Sequence, residues 1–128
     1  MISVIIPTYN EAACIKATIQ KLWQYDESGM IKEIIISDGE STDDTVQAAR
    51  SEDVKVVVCP EKGRAAQMNF GASFAHERIF YFLHADSIPP KNFTGYILKA
   101  LNEGAVSGCF WLSFDHKHWF LKTCCWFA

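Results

Sequence analysis

The fold is decided near the start of the chain, where residues 2–11 read Ile2-Ser3-Val4-Ile5-Ile6-Pro7-Thr8-Tyr9-Asn10-Glu11. The run from Ile2 to Ile6 is short, apolar and rich in β-branched side chains, which is typical of a strand buried on both faces of a sheet. The loop that follows contains no glycine, so it is neither a dinucleotide-binding fingerprint nor a P-loop. An oxidoreductase that uses a nicotinamide cofactor is therefore disfavoured.

Outward from this strand, short apolar runs and helical patterns alternate along the chain. Three further strands are predicted at 33–37, 54–58 and 79–83, and a fifth at 109–114. Strands that alternate with helices imply a parallel sheet with right-handed crossovers. The sequence therefore predicts an α/β, Rossmann-like domain in which a mostly parallel sheet is flanked by helices.

Helical patterns occupy the intervals between the predicted strands. A first helix is predicted to begin near residue 11, and its apolar stripe consists of Ile15, Ile19, Leu22 and Trp23. Ser41 with Asp44 three positions later resembles a capping box and predicts the start of a second helix. Two more helices are predicted at 64–75 and 93–101.

Composition limits the class of protein. The chain has 128 residues, of which 49% are hydrophobic and 21% charged, values typical of one globular domain rather than a disordered chain. The formal net charge is −3 at pH 7 and the pI is near 5.7. This lack of excess positive charge does not favour binding to duplex nucleic acid, so nucleic acid is not expected as a partner. A phosphorylated ligand would need local positive charge, a helix N-terminus or a metal ion.

Cysteine usage and hydropathy bear on the cellular compartment. The five cysteines include no C-x-x-C pair and no histidine at zinc-finger spacing, which argues against a disulfide scaffold or a structural zinc site. No signal-peptide pattern opens the chain, and no apolar run approaches the roughly 18 to 20 residues of a membrane span. We therefore expect a cytoplasmic protein.

Polar side chains follow the first predicted strand, at the sheet edge where ligands of open α/β proteins bind. Pro7 fixes the turn, Tyr9 offers a ring to a base, and Glu11 offers a carboxylate to a base or ribose. Glu11 is equally explained as an acid near a helix N-terminus, so both interpretations stay open.

The next two loops bring acidic and then basic groups to the same edge. Asp38 directly follows the second strand, and Gly39 lets the backbone turn, so this carboxylate is placed to accept from a ribose hydroxyl or a base N–H. Lys62 and Arg64 flank Gly63 at a predicted helix start, where two cations would meet a phosphate or a base carbonyl. Basic residues scattered in a surface turn are the alternative.

The fourth strand delivers His84 and Asp86 to its carboxyl end. Residues two apart in an extended chain point the same way, so both side chains can converge on one ion or ligand. Hard divalent cations prefer carboxylate oxygens, and manganese also accepts imidazole. A hydrogen-bonded pair of the two side chains is the alternative.

Considered together, the four loops resemble one family, the family 2 glycosyltransferases of the GT-A fold. The motifs that carry the resemblance are Ser3-Val4-Ile5-Ile6-Pro7-Thr8-Tyr9-Asn10-Glu11, Glu33-Ile34-Ile35-Ile36-Ser37-Asp38-Gly39-Glu40-Ser41-Thr42-Asp43, Lys62-Gly63-Arg64 with Asn69 and Gly71, and Leu83-His84-Ala85-Asp86. Their order and spacing match across about residues 2 to 90. The resemblance implies a nucleotide-diphospho-sugar transferase fold that is incomplete at its C-terminal end.

The resemblance also implies roles for individual residues. The implied nucleotide-binding set is Pro7, Tyr9, Glu11, Asp38, Gly63, Arg64 and His84. Asp86 stands at the last position of the family's Asp-x-Asp motif, where it would coordinate a divalent metal, Mg or Mn, on the donor diphosphate. His84 replaces the first acid of that motif, as in a bacterial subgroup of these transferases.

The implied activity is transfer of a glycosyl unit, with inversion, from a nucleotide-sugar, expected to be a UDP-sugar, to an unknown acceptor. A general base in an acidic motif would activate the acceptor hydroxyl. Neither Glu103 nor Asp115 sits in a recognisable copy of that motif, so the catalytic residues are unknown. We expect a nucleotide-sugar-binding domain at 1–114, followed by an apolar tail of a truncated fold at 115–128.

The apolar tail leaves several alternatives open. Its large side chains are Trp119, Phe120, Leu121, Trp126 and Phe127. An exposed patch of this kind would favour homo-oligomerisation or peripheral contact with a membrane, which would suit a lipid-linked acceptor. The chain would then be a truncated enzyme, a naturally short form, or a subunit completed in trans. The rival class is a non-catalytic nucleotide-binding or interaction subunit that assembles through this tail.

Overall fold

Four strands and four helices alternate through residues 1–110, the part of the chain that the computed structural model describes. The strands are β1 (Ile2–Thr8), β2 (Ile31–Asp38), β3 (Lys55–Val58) and β4 (Ile79–Phe82). The helices are α1 (Ile15–Tyr25), α2 (Thr45–Arg50), α3 (Arg64–Ala72) and α4 (Phe93–Asn102). None of these helices is long and apolar enough to cross a membrane. The predicted fifth strand, apart from its first two residues, lies outside the described residues, as do the predicted tail and domain boundary.

The four strands form one sheet in the order β3-β2-β1-β4, and every pair of neighbours is parallel. β1 is paired on both sides, with β2 along its whole length and with β4 from Ile2 to Ile5. The chain moves outward from β1 to β2 and β3, and then returns to the opposite side of β1 for β4. This return creates a switch point between β1 and β4. The predicted parallel α/β sheet is confirmed.

The two central strands supply the middle of the hydrophobic core. Every residue of β1 except Pro7 is buried, and the last five residues of β2 are buried as well. On one face of the sheet, Ile6 belongs to a cluster that includes Ile19 of α1 and the rings of Tyr81 and Phe93, which stack with centroids 5.0 Å apart. Each fully buried branched side chain contributes about 1.5 to 3 kcal/mol, so the central strands are held firmly in register.

The opposite face of the sheet is covered by α3, which approaches the strands closely at Gly71. A Cβ atom at this position would lie 2.7 Å from Ile5 Cγ2 and 3.1 Å from Ser37 Cβ. A side chain therefore has no room between the helix and the sheet. The close approach places the N-terminal turn of α3 beside the carboxyl ends of β1 and β2.

The second helix begins at Thr45, and the predicted capping box at Ser41 is wrong. The Ser41 hydroxyl donates to Asp38 Oδ1 at 2.6 Å and accepts from the Asn10 N–H at 2.9 Å. The Ser41 side chain therefore bonds residues at the end of β2 and after β1 and does not cap α2. α1 likewise begins at Ile15, one turn later than predicted, after a turn at residues 12–14.

The variant Gly71→Ala tests the close approach of α3. Alanine exceeds glycine in helix propensity by about 1 kcal/mol, so the change stabilises a helix at an open position. Here the added methyl group overlaps Ile5 and Ser37, and we expect the free energy of unfolding to fall by about 1 to 3 kcal/mol. Urea denaturation followed by circular dichroism measures this change, and a gain in stability would contradict the described packing.

Candidate functional site

A cleft of about 420 Å³ opens at the carboxyl edge of the sheet, at the switch point between β1 and β4. Its lining comes from the loop after β1, the N-terminal turn of α3 and the turn after β4, together with Gly39 from the loop after β2. The volume lies within the range of about 300 to 1,000 Å³ that holds small ligands. Its position is the one at which open α/β sheets bind their ligands.

Most of the predicted site residues meet in this cleft. The predicted residues that line it are Pro7, Tyr9, Glu11, Gly63, Arg64, His84 and Asp86. Lys62 and Gly39, which the sequence analysis also considered, line it too, and the further lining residues are Thr8, Gln67 and Ala85. The topology thus brings together groups from four separate segments of the sequence.

Asp38 is buried next to the cleft and does not line it. Its Oδ1 accepts from the Thr8 hydroxyl at 2.7 Å and from the Ser41 hydroxyl at 2.6 Å, and its Oδ2 accepts from the Ser41 N–H at 2.8 Å. The bond from Thr8 joins the end of β1 to the end of β2, and the two bonds from Ser41 fix the loop that follows β2. Contact between Asp38 and a base stays a prediction.

Asn10 joins the loop after β1 to the loop after β2. Its backbone has a positive φ of 53°, a conformation that asparagine tolerates better than most residues. Its Oδ1 accepts from the Thr42 N–H at 2.8 Å, and the Glu11 N–H donates to the Thr45 hydroxyl at 2.8 Å. The two loops therefore form one unit, which carries Tyr9 and Glu11 into the cleft.

The N-terminal turn of α3 supplies the cleft with positive charge. Lys62 and Arg64 are both exposed there, and the Lys62 ammonium lies 5.5 Å from the centroid of the Tyr9 ring. Arg64 forms no ion pair within the described part of the chain. Two cations beside the positive end of a helix dipole favour an anion such as a phosphate group.

The turn after β4 presents a histidine, His84, and a carboxylate, Asp86, to the same cleft. Thr18 of α1 fixes this turn, because its buried hydroxyl donates to Ala85 O at 2.6 Å. Burial and the Arg64 charge lower the pKa of His84 below its ordinary value of 6.5, against the opposing charge of Asp86. The imidazole is therefore mainly neutral at pH 7, with one nitrogen as a donor and the other as an acceptor.

One carboxylate in the cleft fits a divalent cation. Asp86 is exposed there, and no hydrogen bond or ion pair within residues 1–110 engages it. The same residues contain no cluster of three or more His, Cys, Asp or Glu side chains that would hold a metal by themselves. A cation at Asp86 would therefore draw most of its oxygen ligands from a bound phosphate group or from water.

Cys14 lies beside Glu11, and its thiol is not activated as a nucleophile. Burial, together with a hydrogen bond to Glu11 and the charge of that residue, raises the pKa of the Cys14 thiol to about 11. The thiol therefore stays protonated at pH 7. It donates to Glu11 Oε2 at 3.4 Å and so helps to orient that carboxylate.

These features define an α/β protein of the GT-A type, with its ligand cleft at the switch point of a parallel sheet. The family model described as Glycosyl transferase family 2 matches residues 3–123. The chain belongs to that family, as the sequence motifs predicted.

Individual relatives agree with this assignment. An uncharacterized glycosyltransferase of Rickettsia felis is 40% identical over 72 residues, which cover 56% of this chain and 24% of the relative. The UDP complex of glucosyl-3-phosphoglycerate synthase from Mycobacterium tuberculosis superposes with a TM-score of 0.74 at 25% identity, covering 89% of this chain and 45% of the synthase. The same synthase with Mn²⁺, UDP and phosphoglyceric acid gives a TM-score of 0.72 at 26% identity, covering 84% of this chain and 41% of the synthase.

A more distant structure shares the fold alone. TarS 1–349 of S. aureus in complex with UDP has a TM-score of 0.70 at 24% identity, over 80% of this chain and 32% of TarS. The chain thus spans about a quarter of the curated relative and less than half of these solved structures. The predicted GT-A fold is confirmed by these likenesses.

The electrostatic coupling around His84 can be measured by NMR titration of its ring protons. Arg64→Gln removes a cation and should raise the pKa of His84, whereas Asp86→Asn removes an anion and should lower it. Arg50→Gln, at the exposed end of α2, is the matched control and should leave this pKa unchanged. The resonance is assigned by its loss in His84→Gln. Equal pKa values in all three variants would show that these groups are not coupled.

Proposed function

We propose that the chain binds a UDP-sugar in this cleft, together with a divalent metal, as the donor-binding part of an inverting family 2 glycosyltransferase. The observation that carries the proposal is the convergence of Tyr9, Arg64 and Asp86 on one cleft. An aromatic ring suits a base, a guanidinium suits a diphosphate, and a carboxylate suits the metal on that diphosphate. The UDP and Mn²⁺ in the mycobacterial synthase structures support this choice of donor and cofactor.

The base and ribose are proposed to lie on the side of the cleft formed by the loops after β1 and β2. The Tyr9 ring is 46% exposed, and the Lys62 ammonium lies 5.5 Å from its centroid. A base that stacks on Tyr9 would take the place of Lys62, whose charge is then available to the diphosphate. Glu11, oriented by Cys14, would accept a hydrogen bond from the base or ribose.

The diphosphate is proposed to lie between the N-terminal turn of α3 and the turn after β4. Arg64 and the free N–H groups of the helix would neutralise and orient the phosphate oxygens, and neutral His84 would donate one hydrogen bond. Asp86 would hold the divalent metal, which when bound stabilises the negative charge on the departing nucleoside diphosphate. We also propose that the chain belongs to the subgroup with His-Ala-Asp in place of Asp-x-Asp. Because His84 replaces an acidic residue, one fewer negative charge would face the diphosphate.

Transfer would proceed by direct attack of an acceptor hydroxyl on the anomeric carbon of the sugar. The bond to the diphosphate breaks as the new bond forms on the opposite face, and a general base takes the hydroxyl proton. Residues 1–110 offer no group that we assign as this base. The base and the acceptor site are therefore proposed for segments outside these residues.

Calorimetric titration of the full chain with UDP tests the donor site. We expect saturable binding that strengthens when Mn²⁺ is present and weakens when a chelator removes it, because the cation links Asp86 to the diphosphate. UMP, which lacks the second phosphate, should gain less from Mn²⁺ than UDP does. Absence of UDP binding by the folded chain, with and without Mn²⁺, would contradict the proposed function.

The variant Asp86→Asn tests the metal ligand. The amide is similar in shape but carries no charge, so we expect the Mn²⁺-dependent gain in UDP affinity to fall by about tenfold or more, equivalent to about 1.4 kcal/mol. Asp53→Asn is the matched control, since Asp53 is exposed and lies outside the cleft. An unchanged Mn²⁺ dependence in Asp86→Asn would show that the metal is held elsewhere.

A further inference from the structure

Gln67 is a buried polar residue on the first turns of α3, and neither the sequence motifs nor the proposed donor contacts give it a role. Its side chain is 6% exposed and lies between the ends of β1 and β2. A glutamine in such a position is uncommon, because polar side chains are buried mainly when their hydrogen bonds are satisfied. The partners of this amide therefore indicate why it is there.

The amide of Gln67 connects three segments that surround the cleft. Its Nε2 donates to Thr8 O at 2.7 Å and to Ser37 O at 3.0 Å, the carbonyl groups near the ends of β1 and β2. Its Oε1 accepts from the Gly63 N–H at 3.4 Å, just before α3. Both amide N–H groups are used, so rotation of the amide by half a turn would place its oxygen against two carbonyl oxygens. The side chain therefore has one favourable orientation.

The loop after β2 is shaped to admit this side chain. A Cβ atom on Gly39 would lie 2.8 Å from Gln67 Oε1, so glycine leaves the space that the amide fills. The Gly39 N–H donates to Thr8 O at 2.9 Å, and this carbonyl therefore accepts from both residues. Gln67 and Gly39 therefore pack against each other between the loop after β1 and the N-terminal turn of α3.

We propose that Gln67 is a positioning residue for the donor site. By linking Thr8 and Ser37 to Gly63, it sets the distance between the loops that carry Tyr9 and the turn that carries Arg64. A donor must contact both sides at once, so a change in this distance lowers its affinity. The inference rests on the proposed function for the identity of the ligand, but the link itself is a feature of the ligand-free chain.

The test uses two variants, Gln67→Met and Gln67→Glu, and measures UDP affinity in the presence of Mn²⁺ between pH 8 and pH 5.5. Methionine keeps the length of the side chain but has no N–H donor. The carboxylate of Gln67→Glu would face two carbonyl oxygens in a buried place, so its pKa should be raised. When protonated, it donates one hydrogen bond again.

At pH 8 we expect both variants to bind UDP about tenfold more weakly than the wild type, the effect of one to two lost buried hydrogen bonds. As the pH falls, the UDP affinity of Gln67→Glu should approach that of the wild type at the same pH. The ratio of affinities between Gln67→Met and the wild type should stay constant. Gln47→Glu, an exposed residue of α2, is the control for the added charge and should match the wild type. Wild-type affinity in both Gln67 variants at pH 8 would overturn the inference.

Amide hydrogen exchange without ligand separates this inference from the proposed function. In Gln67→Met, exchange at Gly63 and Gly39 should rise while the core amides of β1 stay protected, because only the link beside the cleft is lost. An equal rise throughout the chain, or no rise, would overturn the positioning role. If the wild type does not bind UDP, the proposed function fails. The exchange pattern still decides whether Gln67 holds the loop that carries Tyr9 and the turn that carries Arg64 in place.

Discussion

The site depends on the pairing of β1 with a parallel neighbour on each side. Hydrogen bonds to β2 and β4 bring the carboxyl ends of three strands to one edge of the sheet. Burial of β1 fixes the register, since a slip of one residue would turn its core side chains to the other face. The position of the cleft therefore follows from topology, and the few residues after each strand determine its chemistry.

The two sides of the cleft are built in different ways. On the side formed by the loops after β1 and β2, a chain of hydrogen bonds joins Asp38, Ser41, Asn10 and Thr42, which holds the two loops together. On the other side, Arg64 and Asp86 have no ion-pair partners within the described residues. Both features suit the proposed donor, because a preformed pocket fixes the position of the ligand while unpaired charges remain available to its phosphate groups.

Local patterns were sufficient to predict the four described strands, the presence of the helices and most of the cleft, because the apolar run of Ile2 to Ile6 and the polar residues after each strand are local features. The sequence did not reveal that Ser41 bonds Asn10 instead of capping a helix, since the competition between hydrogen-bond partners is decided by the packing of two loops. Gln67 did carry a signal. It stands four residues before Gly71 and therefore on the face of α3 that meets the sheet, where a polar side chain requires partners.

Of the four described strands, β1 is synthesised before the others and acquires its last neighbour late. β2 follows soon after it, whereas the partner of Ile2 on the other side is Ile79. Until β4 emerges, one edge of a buried apolar strand presents unpaired N–H and C=O groups, which can template association with other chains. Addition of β4 pairs these groups of β1 and completes the cleft, so the nascent chain gains its binding pocket in the same step that shields its most buried strand.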